Sequence, residues 1–289
     1  MSVLVERMTL AGVGLIGGSL ALAARKARLV REVVGFGRTR ANLDVALQRG
    51  LIDRIAADEA AAADADLIVL ATPVATCARL AERFRAHARP TTVLTDVGSV
   101  KGSLVAELEA AWPDPRRVVG AHPIAGNERA GAAAAEADLF RGRLCIVTPT
   151  PRTDPAAATL VRALWEGVGA RVETMTPETH DAILARVSHL PHLVAYALVT
   201  AVAGRDEDGR TLLDYAGSGF VDTTRIAASP AEVWRDIALG NRPALGAALA
   251  EFRAALDALE RAMASGDAAA LERMLAAAAQ VRQRLGAKS

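Results

Sequence analysis

Thr9-Leu10-Ala11-Gly12-Val13-Gly14-Leu15-Ile16-Gly17-Gly18-Ser19 decides the fold. The strand-like run Thr9-Leu10-Ala11 leads into a GxGxxG turn, and an Ala/Leu-rich helical run follows, which is the strand–turn–helix context a dinucleotide-binding loop requires. Gly12 permits the tight turn, Gly14 lets the backbone approach a pyrophosphate, and Gly17 lets the helix pack close to its strand. The phosphates then sit at a helix N-terminus, where free N–H groups and the macrodipole favour negative charge. Gly12, Gly14, Leu15, Ile16 and Gly17 are therefore the expected cofactor contacts, and Val33-Val34-Gly35-Phe36 supplies the second strand at a suitable distance.

Working outward, short β-branched or leucine-rich runs alternate with amphipathic Ala-rich segments as far as Met175. The strand candidates are Thr9–Ala11, Val33–Phe36, Leu67–Ala71, Val93–Asp96, Val118–Ala121, Cys145–Thr148 and Arg171–Met175. That alternation implies a parallel sheet with helices on both faces, a Rossmann-like order with strands appended. Thr39 and Asn42 are placed to open a helix ending near Gly50, and Pro155 after Asp154 fits the first turn of another. After Pro177 the strand signal stops. Pro177-Glu178-Thr179 opens a long helix through His180, His189 and Tyr196, and Thr211–Leu285 keeps a helical period. The fold expected is an α/β dinucleotide-binding domain over residues 1–176 followed by an all-α domain over 177–289. An Ala-rich helical unit of that size has a modest core of its own, so a homodimer is expected to complete it.

Composition narrows the partners. Over 289 residues the net charge is +1 and aromatics make up 3%, which argues against nucleic acid and against an anionic membrane surface. Cys77 and Cys145 lack CxxC spacing and histidine neighbours, so neither a metal site nor a disulfide framework is expected. The uncharged stretch Thr9–Ala24 contains four glycines and no cleavage pattern, and is too short to span a bilayer. A cytoplasmic protein acting on a small molecule is expected.

Sites in doubly wound folds form at the carboxyl ends of strands. There the sequence places Gly37-Arg38-Thr39-Arg40, Thr72-Pro73, Val97-Gly98-Ser99-Val100-Lys101-Gly102 and His122-Pro123-Ile124-Ala125-Gly126-Asn127-Glu128. NAD-binding folds carry an acidic residue at the end of the second strand. Here that place is Gly37, with Arg38 and Thr39 after it, while Glu32 precedes the strand and lies at the wrong end. NAD or NADP is the expected cofactor, with Gly37-Arg38 tilting the choice towards NADP.

GVGLIGGSL, TDVGSVKG, GAHPIAGNERAG, VSHLPHLVAYAL and GSGFVDTTRIAASPAEVWRDI occur in this order over more than two hundred residues. Together they resemble the prephenate/arogenate dehydrogenase family of tyrosine biosynthesis. The resemblance implies NAD(P)-dependent oxidative decarboxylation of prephenate to 4-hydroxyphenylpyruvate, or of arogenate to tyrosine, by a Rossmann domain joined to a helical dimerisation domain. It implies that His122 takes the proton of the substrate hydroxyl and that Ser99 hydrogen-bonds both His122 and that hydroxyl. It also implies that Arg225 binds the side-chain carboxylate, that His189 and His192 make polar contacts, and that Ser218 and Trp234 line the pocket. Glu128 would gate the site or support it from behind, and Thr72 would contact the nicotinamide ribose, with Pro73 shaping the turn. Asn127, Ser218 and Val221 depart from common family residues and bear on substrate choice. Rival readings are a β-hydroxyacid-type dehydrogenase, which would place a catalytic lysine where Ser188-His189-Leu190-Pro191-His192 has none, and a non-catalytic NAD(P)-sensing dimer.

Overall fold

The structure is a computed structural model describing residues 3–126, 129–203, 206–207 and 210–286. Among these residues one eight-stranded sheet contains β1 (Val5–Ala11), β2 (Val30–Phe36), β3 (Arg54–Ile55), β4 (Leu67–Leu70), β5 (Val93–Asp96), β6 (Val118–Pro123), β7 (Leu144–Thr148) and β8 (Arg171–Thr174). Their spatial order is β3-β2-β1-β4-β5-β6-β7-β8. All seven expected strands are present within a few residues of their expected ends, and β3 is added.

The sheet departs from the all-parallel expectation at one edge. The first six strands run parallel, but β7 pairs antiparallel with β6, with His122 opposite Ile146, and β8 follows β7. A parallel return needs a crossover, usually an α-helix. Between Pro123 and Leu144 the described residues contain only the 3₁₀ turn Ala132–Ala134, so the chain doubles back.

Helices α1 (Leu15–Lys26), α2 (Arg40–Gln48), α3 (Glu59–Ala63), α4 (Val74–Arg85), α5 (Gly102–Ala111) and α6 (Pro155–Gly167) cover the sheet. Leu20, Leu43, Val161 and Trp165 of α1, α2 and α6 join one core cluster. Ala62, Phe84, Leu104 and Leu108 of α3, α4 and α5 join the other. On α4 the buried residues Cys77, Leu80, Ala81 and Phe84 recur at helical spacing and form a single stripe. Strand β4, Leu67-Ile68-Val69-Leu70, is buried throughout, as a strand covered on both faces must be. Pro155 occupies the first turn of α6 and Asp154 caps it by accepting from the Ala156 amide.

The remaining elements are α7 (Pro177–Leu184), a π-helical turn (Ala185–His189), α8 (Leu190–Ala203), α9 (Ser218–Thr224), α10 (Ala231–Gly240), α11 (Arg242–Ala264) and α12 (Ala268–Gly286). One correction concerns the all-helical expectation: β9 (Asp206–Glu207) and β10 (Arg210–Thr211) pair antiparallel, a contact too short to leave a period-2 signal. The run Pro177–Ala203 is long and apolar enough to cross a membrane by length and composition, yet it carries the buried polar residues His180, Asp181 and His189. Contacts group Met1–Asn241 in one compact unit and Arg242–Ser289 in a second. Within the second unit α12 buries none of its described residues, and Phe252, Leu256, Met263, Leu275 and Val281 remain exposed.

Chain order reverses between β1 and β4, which are neighbours although β2 and β3 intervene in sequence. In open α/β sheets this switch point opens a crevice at the carboxyl ends of the strands.

Candidate active site

The crevice has two adjoining compartments. The first, of about 590 Å³, is lined by Gly12, Gly14, Arg38, Thr39, Thr72 and Pro73 among others. The second, of about 340 Å³, shares Gly14, Thr72 and Pro73 with it and adds Leu15, Ile16 and Ser99. Gly12 has φ +97°, and a Cβ there would lie 2.4 Å from the Ala71 carbonyl oxygen, so no other residue fits without moving β4's end. At Gly14 a Cβ would meet nothing within 4 Å: the space in front of the α1 N-terminus is open, as an approaching pyrophosphate requires. Gly17 does not line either compartment; it faces back, where a Cβ would strike the Gly12 carbonyl oxygen at 2.2 Å.

Asn42 was expected to help open α2. Instead its Nδ2 donates to the Val13 carbonyl at 2.8 Å and its Oδ1 accepts from the Ala132 amide at 2.8 Å, tying the glycine loop to the segment after β6. Thr39 is the N-terminal boundary residue of α2, but its side chain makes no cap bond. Glu32 is bonded by Arg7 and Arg54, away from both compartments, and those bonds hold its carboxyl below the usual range.

Beyond the second compartment lies a buried polar cluster. Asp96 ends β5 and accepts from the Gly98 amide at 2.8 Å and the Ala121 amide at 3.3 Å, while Lys101 bonds its Oδ2; neither side chain is exposed. This fastens the end of β5 to β6, where His122 stands 9% exposed. His122 Nδ1 lies 2.8 Å from His180 Nε2, and His180 Nδ1 lies 2.8 Å from Asp181 Oδ1. The Asp181 carboxylate caps α5 by accepting from the Lys101 and Gly102 amides, both at 2.8 Å. Asn241 Nδ2 donates to the Asp181 carbonyl at 2.8 Å and meets His189 Nδ1 at 3.1 Å.

The electrostatics follow from this enclosure. Burial holds His122 well below its ordinary value, with His180, Lys101 and His189 pushing the same way. Burial lowers His180 too, against the pull of Asp181. Burial pushes Asp181 up, but bonds from His180, Gly102 and Lys101 outweigh it and leave an ionised carboxylate. His189 is driven down to about 4, chiefly by burial. His122 is thus a neutral base near pH 7.

His192, Trp234 and Arg225 gather beside His189. His192 donates from Nδ1 to the Ser188 carbonyl at 2.9 Å and stacks on Trp234, with centroids 3.5 Å apart and planes 18° from parallel. His189 meets the same indole edge-on at 6.2 Å. The Arg225 charge is close enough to help lower His192, after burial. Ser218 is the exposed first residue of α9, and Glu128 lies outside the described residues. Among the described residues no hydrogen bond joins Ser99 to His122, whose Nδ1 is engaged by His180. Ser99 instead lines the second compartment, with its backbone facing His189.

Lys101, Asp96, His180, Asp181 and Asn241 had no role in the sequence reading. Asp96 and Lys101 lie within the string TDVGSVKG, and His180-Asp181 lies on the helix that continues into Ser188-His189, where the pair reads as an ordinary first turn.

Residues 20–174 match the family described as prephenate dehydrogenase, nucleotide-binding domain, and residues 176–277 match prephenate dehydrogenase, dimerization domain. Cyclohexadienyl dehydrogenase of Zymomonas mobilis is 35% identical over 264 residues, covering 91% of this chain and 90% of that protein. Prephenate dehydrogenase of Aquifex aeolicus, solved with hydroxyphenyl propionate and NAD+, superposes with a TM-score of 0.93 at 34% identity, covering 99% of each chain. Arogenate dehydrogenase of Synechocystis superposes with a TM-score of 0.84 at 31% identity, covering 96% of this chain and 99% of that one. By sequence and fold, the chain belongs to the prephenate dehydrogenase family.

Proposed function

We propose that this protein catalyses the NAD(P)+-dependent oxidative decarboxylation of prephenate to 4-hydroxyphenylpyruvate in tyrosine biosynthesis. The observation that carries the proposal is His122: a neutral, nearly buried imidazole with one nitrogen committed to His180, at the carboxyl end of β6 beyond the dinucleotide crevice.

The dinucleotide supplies the hydride acceptor when bound; Gly12 and Gly14 with the α1 N-terminus would hold its pyrophosphate, and Thr72 and Pro73 its nicotinamide half. His122 accepts the proton of the C4 hydroxyl as the C4 hydride departs. The ring carboxylate then leaves as CO₂, its bonding pair aromatises the ring, and His122 returns its proton to the phenolate oxygen. Product aromaticity makes the carbon–carbon cleavage easy, so the protein mainly orients and exchanges a proton. Arg225 binds the side-chain carboxylate through its guanidinium fork, with His192 and Trp234 beside it and Ser99 and His189 facing the reacting ring. Ser218 lines the outer pocket and Glu128 gates it.

Arogenate is the second reading of the same chemistry, favoured by the likeness to the Synechocystis enzyme. For the cofactor we propose that NADP is accepted alongside NAD. None of the described residues lining the first compartment is acidic, and Arg38, Arg79 and Arg83 all line it. Residues 1–176 form the dinucleotide-binding domain and 177–289 the helical domain of a cytoplasmic homodimer. Pairing would cover the apolar side chains left exposed on α11 and α12. The test is reduced-cofactor formation by purified protein with prephenate and arogenate crossed against NAD+ and NADP+. Prephenate-dependent reduction supports the proposal; cofactor binding without reduction by either substrate overturns it.

A further inference from the structure

The direction of a hydrogen bond is set by the partner that has no choice. Two such partners lie behind the histidine cluster. The first is the Asp181 carboxylate, ionised and able only to accept. Its Oδ1 lies 2.8 Å from His180 Nδ1, so that nitrogen carries the ring proton. His180 is held neutral by burial, with the Lys101 ammonium opposing a second positive charge, so its Nε2 is bare. A bare nitrogen 2.8 Å from His122 Nδ1 requires that Nδ1 to be the donor. The remaining nitrogen of a neutral His122, Nε2, therefore presents a lone pair.

The second fixed partner is the Asp181 backbone carbonyl, which also only accepts. It orients the Asn241 amide with its NH₂ inward at 2.8 Å, and the other N–H of that group points at His189 Nδ1, 3.1 Å away. His189 Nδ1 must accept, so its proton is on Nε2. That atom is buried in a residue 1% exposed; it makes no hydrogen bond of normal geometry among the described residues, and the backbone group that faces the ring is that of Ser99. Asp181 thus anchors both chains, one through its side chain and one through its main chain.

We propose that His180, Asp181 and Asn241 are positioning residues that hold His122 and His189 in opposite tautomers, a bare Nε2 acceptor on His122 and an Nε2–H donor on His189. The first is the state needed to accept the substrate hydroxyl proton; the second turns an N–H towards the backbone of Ser99, steadying the loop that borders the second compartment. This deepens the assignment of His122 as the base. When His122 gains its proton, the Nδ1–H bond to His180 becomes charge-assisted, and the Asp181 carboxylate two groups away stabilises the imidazolium. His180 and Asp181 touch neither substrate nor cofactor in this scheme. The groups facing His122 are His180, Lys101 and His189.

The test is read without turnover. Long-range ¹H–¹⁵N correlation spectra of the ¹⁵N-histidine-labelled protein near pH 7, with its five histidines assigned by single His→Gln substitutions, report each ring's protonated nitrogen. His122 should show a protonated Nδ1 and bare Nε2, and His189 the reverse. A protonated Nε2 on His122, or a protonated Nδ1 on His189, overturns the proposal whatever the enzyme's substrate proves to be. His180→Phe supplies the second reading: His122 should shift towards the Nε2–H tautomer and kcat should fall about 10- to 100-fold, with KM changed less than threefold. A folded His180→Phe protein that keeps the wild-type His122 spectrum overturns the relay.

Discussion

Lys101 and Asp96 form an ion pair in which neither side chain reaches solvent, between the end of β5 and the residue that precedes α5. Asp96 also holds the Gly98 and Ala121 amides, so the pair fastens the loop carrying Ser99 to the strand carrying His122. Removing one partner of a buried pair leaves an uncompensated charge. Asp96→Asn should therefore destabilise the protein by about 3–5 kcal/mol, and replacing both residues with apolar ones should recover only part of that loss, since the Gly98 and Ala121 amides still lose their acceptor. Denaturant midpoints of the single and double variants check this; a single variant as stable as wild type would contradict it.

Stability should also fall in mild acid. Folded His122, His180 and His189 all titrate below the ordinary value of 6.5, with His189 at about 4, because burial disfavours their charged forms. Below about pH 6.5 the unfolded chain binds protons that the folded one does not. The stability these groups confer is thus complete above that pH and is lost as pH falls towards 4, at about 1.4 kcal/mol per unit for each fully shifted group. Tm measured at pH 7, 6 and 5 should fall steadily. His189→Asn should flatten the slope, and a Tm constant over this range would contradict the burial of the cluster.

The legibility of this molecule follows the range of its interactions. Leu67–Leu70 was readable because a strand buried on both faces is a local apolar run. The reversal of β7 was not, since strand direction depends on a connection whose path no local pattern records. His122 and His189 were identified through the strings around them. Their partners lie far away in sequence: His180 is 58 residues from His122, and Asn241 is 52 from His189. Asn42 shows the same limit, since its residue type suits a helix start while its bonds reach 29 and 90 residues away.

Arg225 is assigned to ground-state recognition of a carboxylate. Arg225→Ala should raise KM by about 10- to 100-fold, the equivalent of roughly 1.5–3 kcal/mol for a charge-assisted bond, and change kcat far less. Arg225→Lys should recover only part of that loss, because an ammonium lacks the planar fork. Steady-state kinetics with the preferred substrate decide it, and an unchanged KM in folded Arg225→Ala protein would remove the residue from the site.

Arg38 follows the second strand with Gly37 where an acidic residue would repel a 2′-phosphate, and both line the first compartment. Arg38→Ala should lower kcat/KM for NADP+ by about 10-fold or more while leaving NAD+ within about threefold, as expected for loss of a charge-assisted phosphate contact. An equal effect on both cofactors, or none, would count against NADP recognition through this residue.

Removal of the substrate hydroxyl proton by His122 is tested most directly by kcat of His122→Asn with saturating prephenate and cofactor across pH. Wild-type kcat should be level through pH 6.5 and fall only at lower pH, because burial holds the imidazole well below its ordinary value. The variant should lose about 10²–10⁴-fold in kcat and lack that acid limb, since an amide can still hydrogen-bond the hydroxyl but cannot take its proton. A folded His122→Asn enzyme that keeps wild-type kcat and its acid limb would contradict the account.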